Sequence, residues 1–548
     1  MGVQRLWDTI AVSEKRFSLE ELAADQWHRK GNHGLRMAID VALWLFHARS
    51  GQGGNRPDLR TMFYRCCRLY ELGIRPVFVF DGPHRPIYKR VQIIQTNIVS
   101  ELQMQLMEMF DLFKFGVWHA YGEAEAECAV LQRLDYVDIV LTADVDALLF
   151  GAKRVIRNWP SHRNELLACY DMAWLSEATG LDRSDLIMIA LLRGSDYNTR
   201  GMRGVGITLA EGLVRTKHHV DLMDRLQRND ESVNEEQLQD LYDALMYEAS
   251  TNRSGHLNRK YSAIQLKATS YDLDLLKDWI NPISNIGKSS YKDQAKDLLN
   301  MLNQDHIPNL TNLAAFCQKY FLWPKPVVQA KFANIVYPSY MSQKLRRYYL
   351  SVNGYKDVRD STNRMGVDAS CSSQRRRQLV DYFPVSKYRC IEKEGDQPKL
   401  SVGANTDLIS ITQQKVVQGR KLYRVDWSLN SLQEFLDEVN AELRNTRELF
   451  ELSDDDDLEW STIENAEQGK TYYSEAKACR QWVDSKYVDK IYPAAVRTYE
   501  QKRPKKPTTP TTPSSPQKQT AITDFLTLPP RRHPRQILRS DTLEDPFN

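Results

Sequence analysis

Three apolar segments that each end on an aspartate limit most strongly what this chain can fold into. They are RMAID (Arg36 to Asp40), RPVFVFD (Arg75 to Asp81) and VDIVLTAD (Val137 to Asp144). Longer helical patterns alternate with these short runs from Leu35 to about Leu192, which is typical of a parallel sheet covered by helices. Because ligands collect at the carboxyl ends of strands in open α/β sheets, the three aspartates should meet in one crevice. We therefore predict an α/β fold with a parallel-rich, twisted sheet and flanking helices.

Further carboxylates follow in the same region of the chain. They are Glu123, Glu125 and Glu127 in YGEAEAECA, Asp144 and Asp146 in TADVDALLFG, and Asp196 in RGSDYN. Carboxylates that share a low-dielectric crevice repel one another and stay ionised only if cations neutralise them. Oxygen-rich sites of this kind suit Mg²⁺ or Mn²⁺, and two such ions can activate a water and stabilise the leaving oxygen of a phosphodiester. One such aspartate alone is more often a loop cap or a solvated acid, but together the acids predict a metal site.

The three glutamates cannot all point the same way. On a regular helix Glu123 and Glu127 share a face, whereas Glu125 points roughly 200° away from Glu123. If Glu123 follows Gly122 as the helix N-cap, its backbone is not helical and it can turn toward the same metals as Glu125. Helical geometry by itself leaves both pairings open.

Composition excludes several classes of protein. Among 548 residues, 74 Lys and Arg against 71 Asp and Glu give a formal charge of +3, an average that can hide opposed patches. The 8 cysteines include no C-x-x-C, so we expect a reduced, intracellular chain without a disulfide framework or zinc module. No apolar run approaches the roughly 18 residues of a membrane span. The start MGVQRLW lacks the apolar region of a signal peptide, and Leu6 stands where myristoylation needs Ser or Thr.

The motifs resemble those of the XPG and flap-endonuclease family of structure-selective nucleases. After MGVQRLW they occur in the order AIDVALWL, FVFDGP, GEAEAECA, TADVDALLFG and RGSDY. The resemblance covers roughly residues 1 to 220 well and continues weakly to about 350. It implies a PIN-like nuclease core that binds two Mg²⁺, with Mn²⁺ as a substitute, through seven acids. These metal-binding and catalytic acids are Asp40, Asp81, Glu123, Glu125, Asp144, Asp146 and Asp196. Glu127 falls outside the match, which settles the pairing of the glutamates.

The resemblance also implies a helix-hairpin-helix element in TRGMRGVGITLAEGLV, after Asp196. Its glycines Gly201, Gly204 and Gly206 would let the backbone approach DNA phosphates, and the next helix would offer its N-terminus. The family's loop also holds a monovalent cation, usually K⁺, through backbone carbonyls. The chain departs from the family at Thr208 and Leu209, where a basic residue is common.

Between Asp81 and Glu123 the family carries a helical arch over the active site. Here HRPIYKR supplies Lys89, which resembles the arch lysine that contacts the scissile phosphate and which we count among the catalytic candidates. A surface lysine is the alternative. Further DNA-binding candidates are Gly2, Phe46, Arg85 and Arg90. Phe46 either stacks on a base or packs in the core. The following IIQTNIV has no charge, so the arch is less basic than in flap endonucleases.

We predict a nuclease core over residues 1–350, divided into an N-terminal region (1–100), an internal region (115–220, with the helix-hairpin-helix near 196–215) and a helical extension (221–350). A linker (351–375), a chromodomain-like module (376–495) and a disordered tail (496–548) follow. In the module, Lys415 to Ser428 predicts a β-hairpin that turns at Gln418-Gly419, and Ser431 to Phe450 predicts an amphipathic helix. Tyr423 and Trp427 are either DNA contacts or core residues.

Within the family, the chain resembles most the eukaryotic Holliday-junction resolvases of the GEN class, and we expect a fungal source. The Asp81 to Glu123 spacing leaves no room for the long insertion of the excision-repair nucleases. The chain is longer than a plain flap endonuclease because an extra module follows the nuclease core. The resemblance implies paired, symmetric nicks in four-way junctions by a homodimer, with 5′-phosphate and 3′-hydroxyl ends, and cleavage of 5′ flaps. The alternatives are a flap endonuclease or 5′ exonuclease and a non-catalytic scaffold for branched DNA.

The tail carries short motifs for localisation and partners. KRPKK (Lys502 to Lys506) resembles a nuclear localisation signal that importin binds, so we expect a nuclear protein. Thr509, Thr512 and Ser515 each precede proline, and phosphates there would weaken importin binding to the adjacent lysines. QTAITDFL (Gln519 to Leu526) resembles a box that binds PCNA.

Overall fold

A computed structural model describes the chain at residues 3, 5–29, 34–48, 55–84, 88–89, 92–93, 100–160, 165–198, 201–286, 288, 291–303, 307–352, 407–417, 419–444 and 479–502. Residues Met1–Glu500 form one compact unit, and Gln501–Asn548 form a second. None of the helices in the described ranges combines the length and the apolar character needed to cross a membrane.

Strands and helices alternate through the first half of the chain, as predicted. The strands are β1 (Lys15–Phe17), β2 (Arg36–Asp40), β3 (Arg75–Phe80), β4 (Tyr88–Lys89), β5 (Gln92–Ile93), β6 (Gly116–His119), β7 (Ile139–Leu141), β8 (Arg154–Ile156), β9 (Leu167–Asp171), β10 (Leu408–Val417), β11 (Arg420–Trp427) and β12 (Arg480–Asp484).

The α-helices follow in the same numbering along the chain. They are α1 (Leu6–Ile10), α2 (Leu19–Arg29), α3 (Val41–Ala48), α4 (Pro57–Leu72), α5 (Glu101–Leu112), α6 (Ala124–Arg133), α7 (Asp146–Leu149), α8 (Met172–Thr179), α9 (Arg183–Arg193), α10 (Ile207–Val214), α11 (Val220–Gln227), α12 (Glu235–Thr251), α13 (Ser270–Ile280), α14 (Tyr291–Asn303), α15 (Leu310–Phe321), α16 (Lys325–Lys331), α17 (Tyr337–Val352), α18 (Leu429–Asn440), α19 (Ser485–Ile491) and α20 (Pro493–Lys502).

A seven-stranded sheet in the order β1-β9-β8-β7-β2-β3-β6 organises the N-terminal part of the chain. The five strands from β8 to β6 are parallel, and β9 and β1 add an antiparallel edge. The chain runs from β2 outward to β3 and β6, then returns to the other side of β2 as β7. The predicted mostly parallel α/β sheet is therefore confirmed, and its topological switch point lies at β2.

Both faces of this sheet are buried, which explains the continuous apolar runs of its strands. Alternate residues of β2 and β3 belong to different cores: Ala38 and Val77 contribute to one, and Ile39 and Phe78 to the other. The helices α6, α7 and α9 cover the first face, and α4, α5 and α15 cover the second. The sheet is therefore held rigidly between two helical layers, so that the ends of its strands are fixed in space.

The C-terminal module is built on a three-stranded antiparallel sheet, β10-β11-β12. The predicted hairpin is present as β10 and β11, and Tyr423 and Trp427 on its inner face are buried. The two aromatics are therefore core residues rather than DNA contacts. The helix predicted over Ser431 to Phe450 runs from Leu429 to Asn440, and the predicted residues 445–450 lie outside the described ranges.

Between Asp81 and Glu123, where the resemblance implies a helical arch, the described residues include the short antiparallel pair β4 and β5 and the helix α5. The rest of the predicted arch lies outside the described residues.

One expectation about the tail differs from the structure. The predicted disordered tail began at residue 496, but α20 is helical to Lys502. Val496 is buried in this helix, and Tyr499 packs on Tyr423 with ring centroids 5.9 Å apart. Apolar burial therefore orders a stretch whose composition is mostly polar.

Candidate active site

Three aspartates meet at the carboxyl ends of adjacent parallel strands. Asp40 is the last residue of β2, Asp81 directly follows β3, and Asp144 lies three residues after β7. Because β2 pairs with both β3 and β7, the three residues share one edge of the sheet at its switch point. The backbone N–H of Ala42 donates to Asp40 Oδ1 at 3.0 Å, which fixes that carboxylate at the start of α3.

Helix α6 brings two glutamates to the same edge. Glu123 is its N-cap with φ −84° and ψ 143°, so its backbone is extended, which is the condition under which it can turn toward the same metals as Glu125. The N–H of Ala124 donates to Asp81 Oδ1 at 2.9 Å, so Asp81 satisfies a free donor at the helix N-terminus, where carboxylates are favoured. Glu123 and Glu125 are both 7% exposed.

A second group of acids lies beside the first. Three buried aspartates each place one carboxylate oxygen within 4.8 Å of the other two: Asp144, Asp146 and Asp196. The N–H of Asp146 donates to Asp144 Oδ1 at 3.1 Å, and the N–H of Val3 donates to Asp146 Oδ1 at 3.3 Å. Such an arrangement can hold a metal ion, and it shows how the N-terminal residues reach the site.

The electrostatics of these acids fit a bound cation. Burial, followed by the charges of Glu125, Asp81 and Asp144, raises the pKa of Asp40 well above its usual range. An ionised Asp40 is therefore costly when no positive charge is nearby. Several buried carboxylates that repel one another and offer only oxygen atoms form the ligand set that divalent magnesium or manganese prefers.

Two residues that support the acids were not identified from the sequence. The Thr142 hydroxyl donates to Asp40 Oδ2 at 3.3 Å and accepts from the N–H of Asp144 at 3.1 Å, so it links two strand ends. The hydroxyl of Tyr197 donates to Glu123 Oε2. Thr142 stands in the TAD motif and Tyr197 directly follows Asp196, so adjacency to predicted acids was the signal available for both.

The third glutamate of the motif, Glu127, has hydrogen-bond partners on other elements of the fold. Its Oε1 accepts from the Trp118 indole at 3.1 Å, and its Oε2 accepts from the N–H of Asn285 at 3.1 Å. Burial raises the pKa of Glu127 to about 7. Its carboxylate thus joins α6 to β6 and to the segment after α13.

The hairpin between α9 and α10 has the backbone that its glycines predicted. Gly201 and Gly204 adopt φ of 57° and 84°, which favour glycine. A Cβ on Gly201 would overlap the carbonyl of Arg193, whereas Gly204 and Gly206 have open space around them. Gly206 is the N-cap of α10. The open side of this hairpin can therefore approach an anion closely.

The remaining predicted DNA-binding residues are only partly described. Phe46 is 71% exposed on α3, so it does not pack in the core. The backbone of Lys89 lies in β4, but its side chain falls outside what the structure describes. Gly2, Arg85 and Arg90 also lie outside the described residues.

Comparison with known proteins gives two family matches. The XPG N-terminal domain matches residues 1–97, and the XPG I-region matches residues 114–196. The protein called Flap endonuclease GEN-like 1 of Arabidopsis thaliana is 32% identical over 218 residues, 35% of this chain and 36% of that protein. The protein called Flap endonuclease 1 of Encephalitozoon cuniculi is 30% identical over 260 residues, 40% of this chain and 73% of that protein. The match thus spans about a third of the Arabidopsis protein.

Solved structures match over more of the chain. The Holliday junction-resolving enzyme GEN1 in complex with product DNA and a Mg²⁺ ion gives a TM-score of 0.62 at 23% identity, over 91% of this chain and 99% of that one. The eukaryotic junction-resolving enzyme GEN-1 with potassium gives a TM-score of 0.63 at 21% identity, over 91% and 99%. At these identities the comparison shows a shared fold.

Proposed function

Because the chain belongs to the XPG and flap-endonuclease family of nucleases, we propose that it is a structure-selective DNA endonuclease that resolves Holliday junctions by paired, symmetric nicks. The observation that carries this proposal is the convergence of buried acids at the switch point of the sheet, with the helix-hairpin-helix beginning directly after Asp196. Hydrolysis leaves 5′-phosphate and 3′-hydroxyl ends, and 5′ flaps are a second class of substrate.

The seven acids would hold two Mg²⁺, for which Mn²⁺ can substitute. They are Asp40, Asp81, Glu123, Glu125, Asp144, Asp146 and Asp196. Bound there, the ions supply charge for activating a water and for stabilising the leaving oxygen of the phosphodiester. The chain's own contribution is orientation: Thr142 holds Asp40 relative to Asp144, and Tyr197 holds Glu123.

DNA would be held mainly through its phosphates. The open side of the hairpin at Gly204 and Gly206 would accept the backbone of a duplex arm. Its carbonyls would hold K⁺, and a protein of similar fold is described as binding potassium. Phe46 is exposed on α3, the helix that directly follows Asp40. From there it would stack on a base near the scissile phosphate. Lys89, Arg85, Arg90 and Gly2 complete the proposed DNA contacts.

Two observations favour a resolvase over a flap endonuclease. The module around β10-β11-β12 lies beyond the nuclease core, and structures named as junction-resolving enzymes share the fold over 91% of this chain. Two protomers with two-fold symmetry would place two sites on opposing strands of a four-way junction. The flap-endonuclease alternative is favoured by the relative named Flap endonuclease 1, which aligns over 73% of its own length.

Cleavage of defined substrates tests the proposal. The full chain is incubated with Mg²⁺ and either a labelled immobile four-way junction or a labelled 5′ flap. We expect paired nicks at symmetric positions in the junction. Cutting restricted to the flap would refute the resolvase, and binding of both substrates without any cutting would favour a scaffold.

Point variants in the same assay test the site. Asp40→Ala and Glu125→Ala should abolish cleavage and leave junction binding intact, because each removes a carboxylate oxygen from the metals. The control is Glu127→Gln, two residues along α6, whose amide still offers an acceptor to the Trp118 indole and which should still cleave. Full activity of both alanine variants would exclude this site.

The tail motifs extend the proposal to the cell, and they lie outside the described residues except for Lys502. We place the protein in the nucleus through importin binding at Lys502 to Lys506, with phosphorylation of Thr509, Thr512 and Ser515 weakening it. Gln519 to Leu526 would bind PCNA. Nuclear import that is unchanged after alanine replacement of the three phosphosites would remove the regulatory part.

A further inference from the structure

The segment that joins α12 to α13, residues 252–268, is strongly basic. Its sequence NRSGHLNRKYSAIQLKA contains no Asp or Glu. Its cations are Arg253, Arg259, Lys260 and Lys267, with His256 among them, and all of these residues are exposed. We call this segment the basic loop. These 17 residues carry four Lys and Arg and no acid, whereas the formal charge of the whole chain is only +3.

The basic loop is held in place by polar contacts with its own residues and with α12. Asn252 forms two hydrogen bonds with the backbone of Leu257, of 2.8 and 3.0 Å. Ser254 donates to Glu248 through its N–H at 2.9 Å and its hydroxyl at 2.6 Å. The N–H of Tyr261 donates to the carbonyl of Ala249 at 2.7 Å. The exposed cations therefore stand on a constrained backbone, which lowers the entropy lost when they bind a ligand.

The loop packs against the second helix of the helix-hairpin-helix. A Cβ built on Gly212 of α10 would lie 2.5 Å from the Leu257 side chain and 3.1 Å from the His256 carbonyl, so the helix and the loop touch there. Gly212 lies five residues after Ile207, the start of α10, which is roughly 8 Å along the helix axis. Phosphates of one strand follow one another at about 3.4 Å along the duplex axis, so the hairpin and the loop are close enough together to contact one duplex arm.

The arginines of the loop are not neutralised by neighbours. Arg253 and Arg259 form no ion pair with any acid in the part of the chain that the structure describes, and Arg259 lies over the Tyr261 ring at 4.9 Å. By contrast, Arg225 and Arg228 near the end of α11 pair with Asp230 and Asp224 at 2.9 and 3.5 Å. An unpaired guanidinium that is oriented by an aromatic ring is well suited to bind phosphate.

We propose that the basic loop is a second phosphate-binding surface, which holds a duplex arm of the branched substrate beside the hairpin. This inference rests on the proposed function for the identity of the substrate. Acting through Arg253, Arg259 and Lys260, the loop contributes affinity and not sequence preference, because phosphate contacts are the same for every base. The basic loop would thus add phosphate contacts on the same duplex arm that the hairpin binds.

A matched pair of double variants tests the inference. Arg253→Ala/Arg259→Ala removes two unpaired loop arginines, and Arg225→Ala/Arg228→Ala removes two paired arginines of neighbouring α11. Binding of a labelled four-way junction is measured with EDTA at several salt concentrations. We expect the loop variant to lose roughly tenfold in affinity and to lower the slope of log K against log salt by about 1.8, since each phosphate contact contributes about 0.9.

The control variant should keep the affinity and slope of the wild type, and the thermal unfolding of both variants identifies any loss of fold. Equal affinities and slopes for the two folded variants would overturn the inference. Because EDTA prevents metal-dependent cleavage, the result is independent of catalysis. A protein that fails to cut junctions but loses affinity through the loop variant would refute the proposed function and leave the loop's phosphate binding standing.

Discussion

At the scale of single residues, the acids are positioned by hydroxyl groups that carry no charge. Glu123 leaves the helical backbone at the N-cap of α6, and its side chain accepts a hydrogen bond from the hydroxyl of Tyr197. Tyr197 is in turn held at its carbonyl by the hydroxyl of Tyr271 at 2.8 Å. Tyr197 contacts Glu123 directly, whereas Tyr271 contacts the backbone of Tyr197. We therefore expect Tyr197 to matter more than Tyr271 for metal binding.

Replacement of Tyr197 by Phe should weaken the response to Mg²⁺. The variant leaves Glu123 without this donor, and loss of a group that orients a metal ligand typically costs about 10-fold to 100-fold in metal affinity or activity. The measurement is cleavage rate against Mg²⁺ concentration, with the half-saturating concentration expected to rise at least roughly tenfold. Tyr271→Phe is the control and should change it little. Identical Mg²⁺ curves for the two variants would contradict a positioning role for Tyr197.

At the scale of elements, the helix-hairpin-helix depends on glycines for two different reasons. Gly201 combines φ of 57° with a position where a Cβ would overlap the Arg193 carbonyl. Gly206, at the start of α10, has an ordinary φ of −89° and open space around it. The fold needs the first glycine, whereas the second keeps the surface open toward a ligand.

Gly201→Ala should therefore destabilise the protein and Gly206→Ala should not. We expect a loss of roughly 2 kcal/mol or more for the first variant, because strain at positive φ adds to the steric overlap. Chemical denaturation measures both values. For Gly206→Ala we expect near wild-type stability with weaker DNA binding. A stable Gly201→Ala variant would show that the hairpin backbone relaxes more easily than its geometry indicates.

At the scale of the whole molecule, the C-terminal module packs against the nuclease region instead of standing apart from it. Phe435 of α18 contacts Tyr337 and Tyr340 of α17 with ring centroids 5.2 and 5.4 Å apart. The Gln481 amide of β12 donates to the carbonyl of Pro338 at 2.8 Å. These contacts agree with the single compact unit from Met1 to Glu500.

Phe435→Ala should lower the free energy of unfolding by about 3–5 kcal/mol, the range for a buried phenylalanine. Phe435 is 3% exposed, whereas Leu429 at the start of the same helix is 52% exposed, so Leu429→Ala serves as the control with little expected change. Urea denaturation provides the comparison. If the two variants lost the same free energy, the aromatic contact between α18 and α17 would not stabilise the molecule.

The sequence determined the sheet, because burial on both faces requires unbroken apolar runs, and it showed three of the acids as the aspartates that follow those runs. The full set of seven acids is what the resemblance to the family implies. The sequence left the N-cap of Glu123 open as one of two arrangements, and the structure decided it. Tertiary structure decided what depends on distant pairs: Tyr197 with Glu123, Thr142 between two strand ends, and Glu127 with Asn285. Tertiary structure also decided that Tyr423 and Trp427 are core residues and that α20 is helical. In both cases the apolar surface that buries the side chains comes from packed neighbours.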